Sequence, residues 1–200
     1  ESLEGIAQRI FYFHVPLWWV AFLAYLVTFV SSIYYLATGN DKWDNRAFCA
    51  AEIGTVFVTI GLVTGVIWAG AAWIDPSGNR HWWDWDPRLT TALVLWFIYI
   101  GYFLVRTYAP PSQARNFGAV ISIIATLDSF IVFMAIRWWK TQHPEPIIGV
   151  SGKLAPSMLF TFLFCLAAFT VFFILLMRLR TNLKSTQDEV VRLTQGQSED

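Results

Sequence analysis

Apolar residues dominate five long stretches of the chain, at roughly 15–37, 48–70, 89–106, 117–136 and 157–177. Each reaches the length of about 20 residues that a helix needs to cross a bilayer core. Polar and helix-breaking residues gather in the connectors "TGNDKWDNR", "AWIDPSGNRHWWDWDPR", "RTYAPPSQARN" and "RWWKTQHPEPIIGVSGKLAP". The pattern predicts an all-α integral membrane bundle, because in lipid only helices and closed barrels satisfy their backbone, and runs this continuous select helices. From Arg178 the tail turns polar but stays helix-forming, with "VVRLTQGQSED" expected to fray. No internal repeat or low-complexity linker divides the chain, so residues 1–200 read as one polytopic membrane domain with a loop at about 71–88 and a tail at about 178–200.

Five crossings put residues 1–14, the 71–88 loop and the 137–156 loop on one face, and the 38–47 loop, the 107–116 loop and the tail on the other. His14, His81 and His143, the only histidines, all fall on the first face. The second face carries Lys42, Arg46, Arg106, Arg115, Arg178, Arg180, Lys184 and Arg192; the first carries Arg9, Arg80, Arg88, Arg137, Lys140 and Lys153. This bias of basic residues places the tail in the cytoplasm. The cations of the histidine face are surplus to topology and available to a ligand.

Composition narrows the classes of function. The chain is 56% hydrophobic and 14% charged with zero formal net charge, so no basic field points to nucleic acid. Cys49 and Cys165 lie in apolar runs without a CxxC or CxxCH pattern, which argues against a disulfide framework, a zinc site and covalent haem attachment by this chain. The chain starts at Glu1, and no signal peptide is visible.

His14 in "RIFYFHVPLWW" precedes a span and stands two residues before Pro16; His143 in "RWWKTQHPEP" follows one and adjoins Pro144. Each lies near a Trp-Trp pair. They read either as an interfacial and a loop histidine, or as two imidazoles on one metal, for which haem iron best suits so much aromatic surface. Two histidines are too few for structural zinc, and no HExxH motif suggests hydrolysis.

The stretch "HWWDWDPRLT", residues 81–90, reads as an interfacial aromatic belt or as a surface that stacks a large flat ligand. Interleaving Trp82, Trp83 and Trp85 with Asp84 and Asp86 fits the second reading better. Arg88 could hold a carboxylate such as a haem propionate, or pair with Asp84 or Asp86. Within the spans, Glu52 is close enough to an end to snorkel, and Asp128 is expected to hydrogen-bond a neighbouring helix.

Together, "WWDWDPRLT", "RIFYFHVP" and "RWWKTQH" resemble the WWD-domain haem-handling proteins of cytochrome c biogenesis, and among them the CcmC (cytochrome c maturation protein C, haem exporter protein C) family. The resemblance runs from about Arg9 to the end of the last span. It implies non-covalent haem b with His14 and His143 as axial ligands and Trp82, Trp83, Trp85 and Asp86 as the haem-contacting surface. It also implies a site on the periplasmic side of a bacterial inner membrane. The implied partners are an ABC transporter (its ATPase, CcmA, and its membrane component, CcmB), the small membrane protein CcmD and the haem chaperone CcmE, which receives the haem. Members have six spans; five are legible here, and the first is expected to lie outside this chain. The family's signature opens with Trp-Gly, where this chain has "GNRH"; His81 has no family counterpart and reads as a local variation.

A haem-trafficking protein that makes no bonds itself is therefore the leading expectation. The alternatives are a haem lyase that attaches haem to apocytochrome c, and a bis-histidine membrane electron carrier. A lyase is disfavoured because no histidine is expected inside a span.

Overall fold

The computed structural model describes residues 5–141 and 155–196. After a 3-10 turn at Gly5–Ile10 come α1 (Phe11–Thr38), α2 (Asp41–Ala72), α3 (Pro87–Tyr108), α4 (Pro111–Trp138) and α5 (Pro156–Gly196). All five are long and apolar enough to cross a membrane. The chain is a multi-pass, all-α membrane protein, as the apolar pattern predicts.

Local chemistry sets the helix ends. Gly39 takes the left-handed conformation, φ 66°, that ends α1, and its N–H donates to the Tyr35 carbonyl. Asn40 then caps α2, its side-chain oxygen accepting from the Lys42 N–H at 3.0 Å. The connector expected at 38–47 thus shrinks to a two-residue turn. The one expected at 107–116 likewise shrinks to Ala109 and Pro110, with Pro111 opening α4.

Close approach of α1 to α2 builds the core. A Cβ on Gly54 would lie 2.6 Å from the Tyr25 ring, and one on Gly61 would lie 3.0 Å from the Trp18 indole nitrogen. The glycines of "GTVFVTIGLVTG" therefore seat aromatic rings of this chain's own α1. Tyr25 stacks on Tyr99 of α3 at 3.9 Å, and the Ser32 and Ser122 hydroxyls join α1 to α4 at 2.7 Å.

At the end of the bundle away from the 73–86 loop, charges tie four helices together. Asp44 of α2 accepts from both terminal nitrogens of Arg106 on α3, at 2.5 and 2.8 Å. Arg115 of α4 pairs with Asp41 and lies 3.5 Å from Asp44. Glu52, expected to snorkel, instead pairs with Arg180 of α5 at 2.8 Å. That pair draws α5 along α2 and keeps it helical to Gly196, where the sequence alone predicts fraying from Val190. Asp128 shows no bond to a neighbouring helix among the described residues; its Oδ2 is buried without a hydrogen-bond partner.

Candidate functional site

The opposite end carries the 73–86 loop, which is fastened to the helices on both sides. Asp75 organises its first half: one carboxylate oxygen accepts from the backbone N–H groups of Ser77 at 2.8 Å and Asn79 at 2.9 Å, the other from the Asn79 side chain. These bonds, the Asn79 backbone first, hold the Asp75 carboxyl below the usual carboxylate range. Gly78, at φ 85°, makes the reversal, and Ile74 bridges to Arg80. Arg80 donates to the Gly70 carbonyl at 3.0 Å, placing a cation on the C-terminal turn of α2.

The second half is the tryptophan stretch. Trp82 lies directly over Gly70: a Cβ there would come within 2.3–2.6 Å of the indole ring. Trp83 and Trp85 meet edge to face at 5.6 Å. Trp82 and Trp85 remain 52% and 71% exposed, so broad indole surface faces outward at the membrane boundary. Asp86, read from sequence as part of that surface, is buried, and its carboxylate caps α3 by accepting the Leu89 N–H at 2.8 Å. Its evident work is to fix the direction in which the tryptophan segment enters the helix. Arg88 sits half-buried two residues on, in the field of Asp86.

Because Trp82 needs a residue without Cβ beneath it, Gly70→Ala should dislodge the ring. The measurement is limited proteolysis of the 73–86 loop in the purified protein, with faster cleavage expected. Gly101→Ala is the control, since nothing lies within 4 Å of a Cβ there, and it should leave the rate unchanged.

His14 is the fourth residue of α1 rather than a residue ahead of it, which corrects the expectation that no histidine lies inside a membrane helix. Its Nδ1 lies 3.0 Å from the Thr64 hydroxyl oxygen. That hydroxyl also has the carbonyls of Ile60 and Gly61 within donating range, at 2.9 and 3.0 Å. With its proton on either carbonyl the hydroxyl accepts from His14 Nδ1–H, the tautomer in which the lone pair of a neutral ring resides on Nε2. Gly65, whose added Cβ would be 3.2 Å from His14 Cε1, lets the imidazole lie against α2.

The structure thus places His14 beside α2 at Thr64 and Gly65, and Trp82 on the same helix at Gly70. His143 lies outside the described residues. His81 is exposed and 3.5 Å from Asp75. Among the described residues no group of three or more His, Cys, Asp or Glu side chains could hold a metal ion. Sequence reasoning missed Thr64, Gly65 and Gly70, and read Arg80 as a cation available to a ligand, where it donates to the Gly70 carbonyl. The only signal for any of them was the density of small residues in "GTVFVTIGLVTG".

The CcmC family, described as heme exporter protein C, matches residues 1–195. The chain is similar to heme exporter protein C of Bradyrhizobium diazoefficiens, 30% identical over 192 residues that cover 94% of this chain and 69% of that protein. Its counterpart in Paracoccus denitrificans is 27% identical, covering 89% of this chain and 73% of its own length. That of Haemophilus influenzae is 28% identical, covering 94% and 76%.

Proposed function

The chain belongs to the heme exporter protein C family, and on that premise we propose that it binds haem at the end carrying the tryptophan loop and passes it on during cytochrome c maturation. Haem is cargo here, bound without a covalent link as haem b. His14 and His143 supply the axial nitrogens. Trp82, Trp83 and Trp85 supply the flat surface, and Arg88 a cation for a propionate. Asp86 holds the loop's exit rather than touching the cargo.

The setting of His14 carries this reading. A ring whose Nδ1–H is held by an oxygen acceptor directs Nε2 as its ligating atom, the arrangement that orients histidines on metals. The residues fit the group: an oriented imidazole and an exposed indole platform both rest on the last two turns of α2 and its approach, through glycines that admit the rings. The protein makes and breaks no bond of the porphyrin. It binds, orients and releases, so it acts in haem trafficking rather than as an enzyme.

The loop faces the periplasm and the α5 end the cytoplasm of a bacterial inner membrane, in keeping with the basic residues at the α5 end. The receiver is the chaperone CcmE. The assembly includes an ABC transporter, built of the ATPase CcmA and the membrane protein CcmB, together with the small protein CcmD. Residues 1–200 act as one domain in this assembly.

Replacing Trp82, Trp83 and Trp85 together by Phe tests the proposal in cells, with haem on the chaperone as readout and the membrane level of the variant measured alongside. Phenylalanine keeps interfacial partitioning but loses indole shape and the N–H groups. Chaperone loading should fall severely at normal protein level. Normal loading would reduce the stretch to an aromatic belt and overturn the proposal.

A further inference from the structure

Beyond the haem end, the 41-residue α5 runs about 60 Å at 1.5 Å per residue, roughly twice a bilayer core. Its last turns carry Arg178, Arg180, Lys184, Asp188 and Arg192 and so project past the membrane. There the helix is inside out. Its polar side is occupied by its own chain: Arg180 on Glu52 at 2.8 Å, Asp188 accepting from Asn45 at 2.6 Å, and Arg192 3.8 Å from Asp41. Lys184 lies 5.9 Å from the centre of the Phe48 ring. The pairs step down α2 as they step up α5, an antiparallel ladder that fixes the rotation of the extension.

With the rotation fixed, Leu179, Leu183, Thr186, Val190 and Leu193 point away from the bundle. They fall within about 40° of one line at 100° per residue. Leu179 is 68% exposed, Leu183 53%, Val190 56% and Leu193 64%. This run of leucines and valine continues beyond the apolar stretch 157–177 on the exposed side of α5. The steps between them are four, three, four and three residues, the seam of a two-stranded coiled coil and not the broader stripe of a helix lying on a domain.

We infer that this stripe is the contact between two copies of the chain, packed as a parallel pair of α5 extensions about a twofold axis normal to the membrane. Copies inserted with the same topology can only meet in parallel. In that register Leu183 and Val190 take a positions and Leu179, Thr186 and Leu193 take d positions. The flanking residues permit it: Asn182 faces Gln187 of the second copy and Glu189 faces Thr194, with no like charges opposed. The same line continues into the span through exposed Ala168, Phe172 and Leu175, so the contact does not end at the surface. Confinement to one membrane raises the effective concentration of each copy for the other.

Disulfide trapping in native membranes tests this. In a full-length background with Cys49→Ala and Cys165→Ala, single cysteines at Leu183, Val190 and, as control, Ser185 on the flank are oxidised with copper phenanthroline. The expected result is dimer at twice the chain mass for Leu183→Cys and Val190→Cys, at several-fold the yield of Ser185→Cys. Adding Leu183→Glu to Val190→Cys should return its yield to the control level while membrane abundance is kept. Equal yields at all three positions, no dimer at any, or an adduct with a different polypeptide would each overturn the inference.

Discussion

Purified His14→Ala protein should retain almost no haem, and His143→Ala should behave the same way, whereas His81→Ala keeps most of it. Either loss leaves the iron five-coordinate at the edge of the bilayer, where water and detergent compete for it. His81 differs in setting: it is exposed and its ring faces Asp75 rather than the helices that seat His14. Thr64→Val grades the effect. It keeps the volume of the side chain but removes the acceptor on His14 Nδ1, so the imidazole remains and its orientation is lost. Second partners of metal-bound histidines are worth about 10–100-fold in affinity, which places Thr64→Val between the native protein and His14→Ala. The haem-to-protein ratio after detergent purification measures all four variants. Retention by His143→Ala together with loss by His81→Ala would reassign the ligand.

The largest effect on stability should come from the other end of the bundle. Asp44 is 3% exposed and takes both terminal nitrogens of Arg106, whose side chain is 10% exposed. Asp44→Ala strands a buried guanidinium and should cost about 3–5 kcal/mol. Asp41 offers the comparison within the same cluster: it pairs with Arg115 and Arg192 but is 42% exposed, so Asp41→Ala should cost about 0–1 kcal/mol. Replacing Arg106 by Met in the Asp44→Ala protein removes the stranded charge and should restore part of the loss. Thermal unfolding in detergent distinguishes the three. Equal midpoints for Asp44→Ala and Asp41→Ala would mean that the buried pair does not hold the helix ends.

Five spans were legible because bilayer crossing is written as local hydropathy, and a window of about 20 residues captures it. Helix lengths were not. The tail from Arg178 reads as helix-forming with fraying from Val190, yet α5 continues to Gly196, its Arg180 and Asp188 on Glu52 and Asn45, partners more than 120 residues away in sequence. Equally, α2 begins at Asp41 rather than near residue 48, since its first turns are charged toward Arg106 and Arg115 on other helices. The tryptophan stretch stood out by its density, and its position at a bundle end followed from parity. What each residue does there depends on contacts that local sequence does not carry. Asp86 reads as one more polar group in the motif, but a residue followed by proline at the start of a span is also an N-cap signal, and the cap is the role its carboxylate takes. Thr64 and the glycines beneath His14 and Trp82 carry no signature, because a small residue on a membrane helix is most often simple packing.

The absorption spectrum of the detergent-purified protein tests the central claim most directly. Two imidazoles on one iron predict a six-coordinate, low-spin spectrum for the native chain. In His14→Ala that spectrum should collapse toward a high-spin or haem-free form, and added imidazole, which can occupy the vacated position, should restore it. A native spectrum that is unchanged in His14→Ala would contradict ligation from α1, and with it the site built on Thr64, Gly65 and the tryptophan loop.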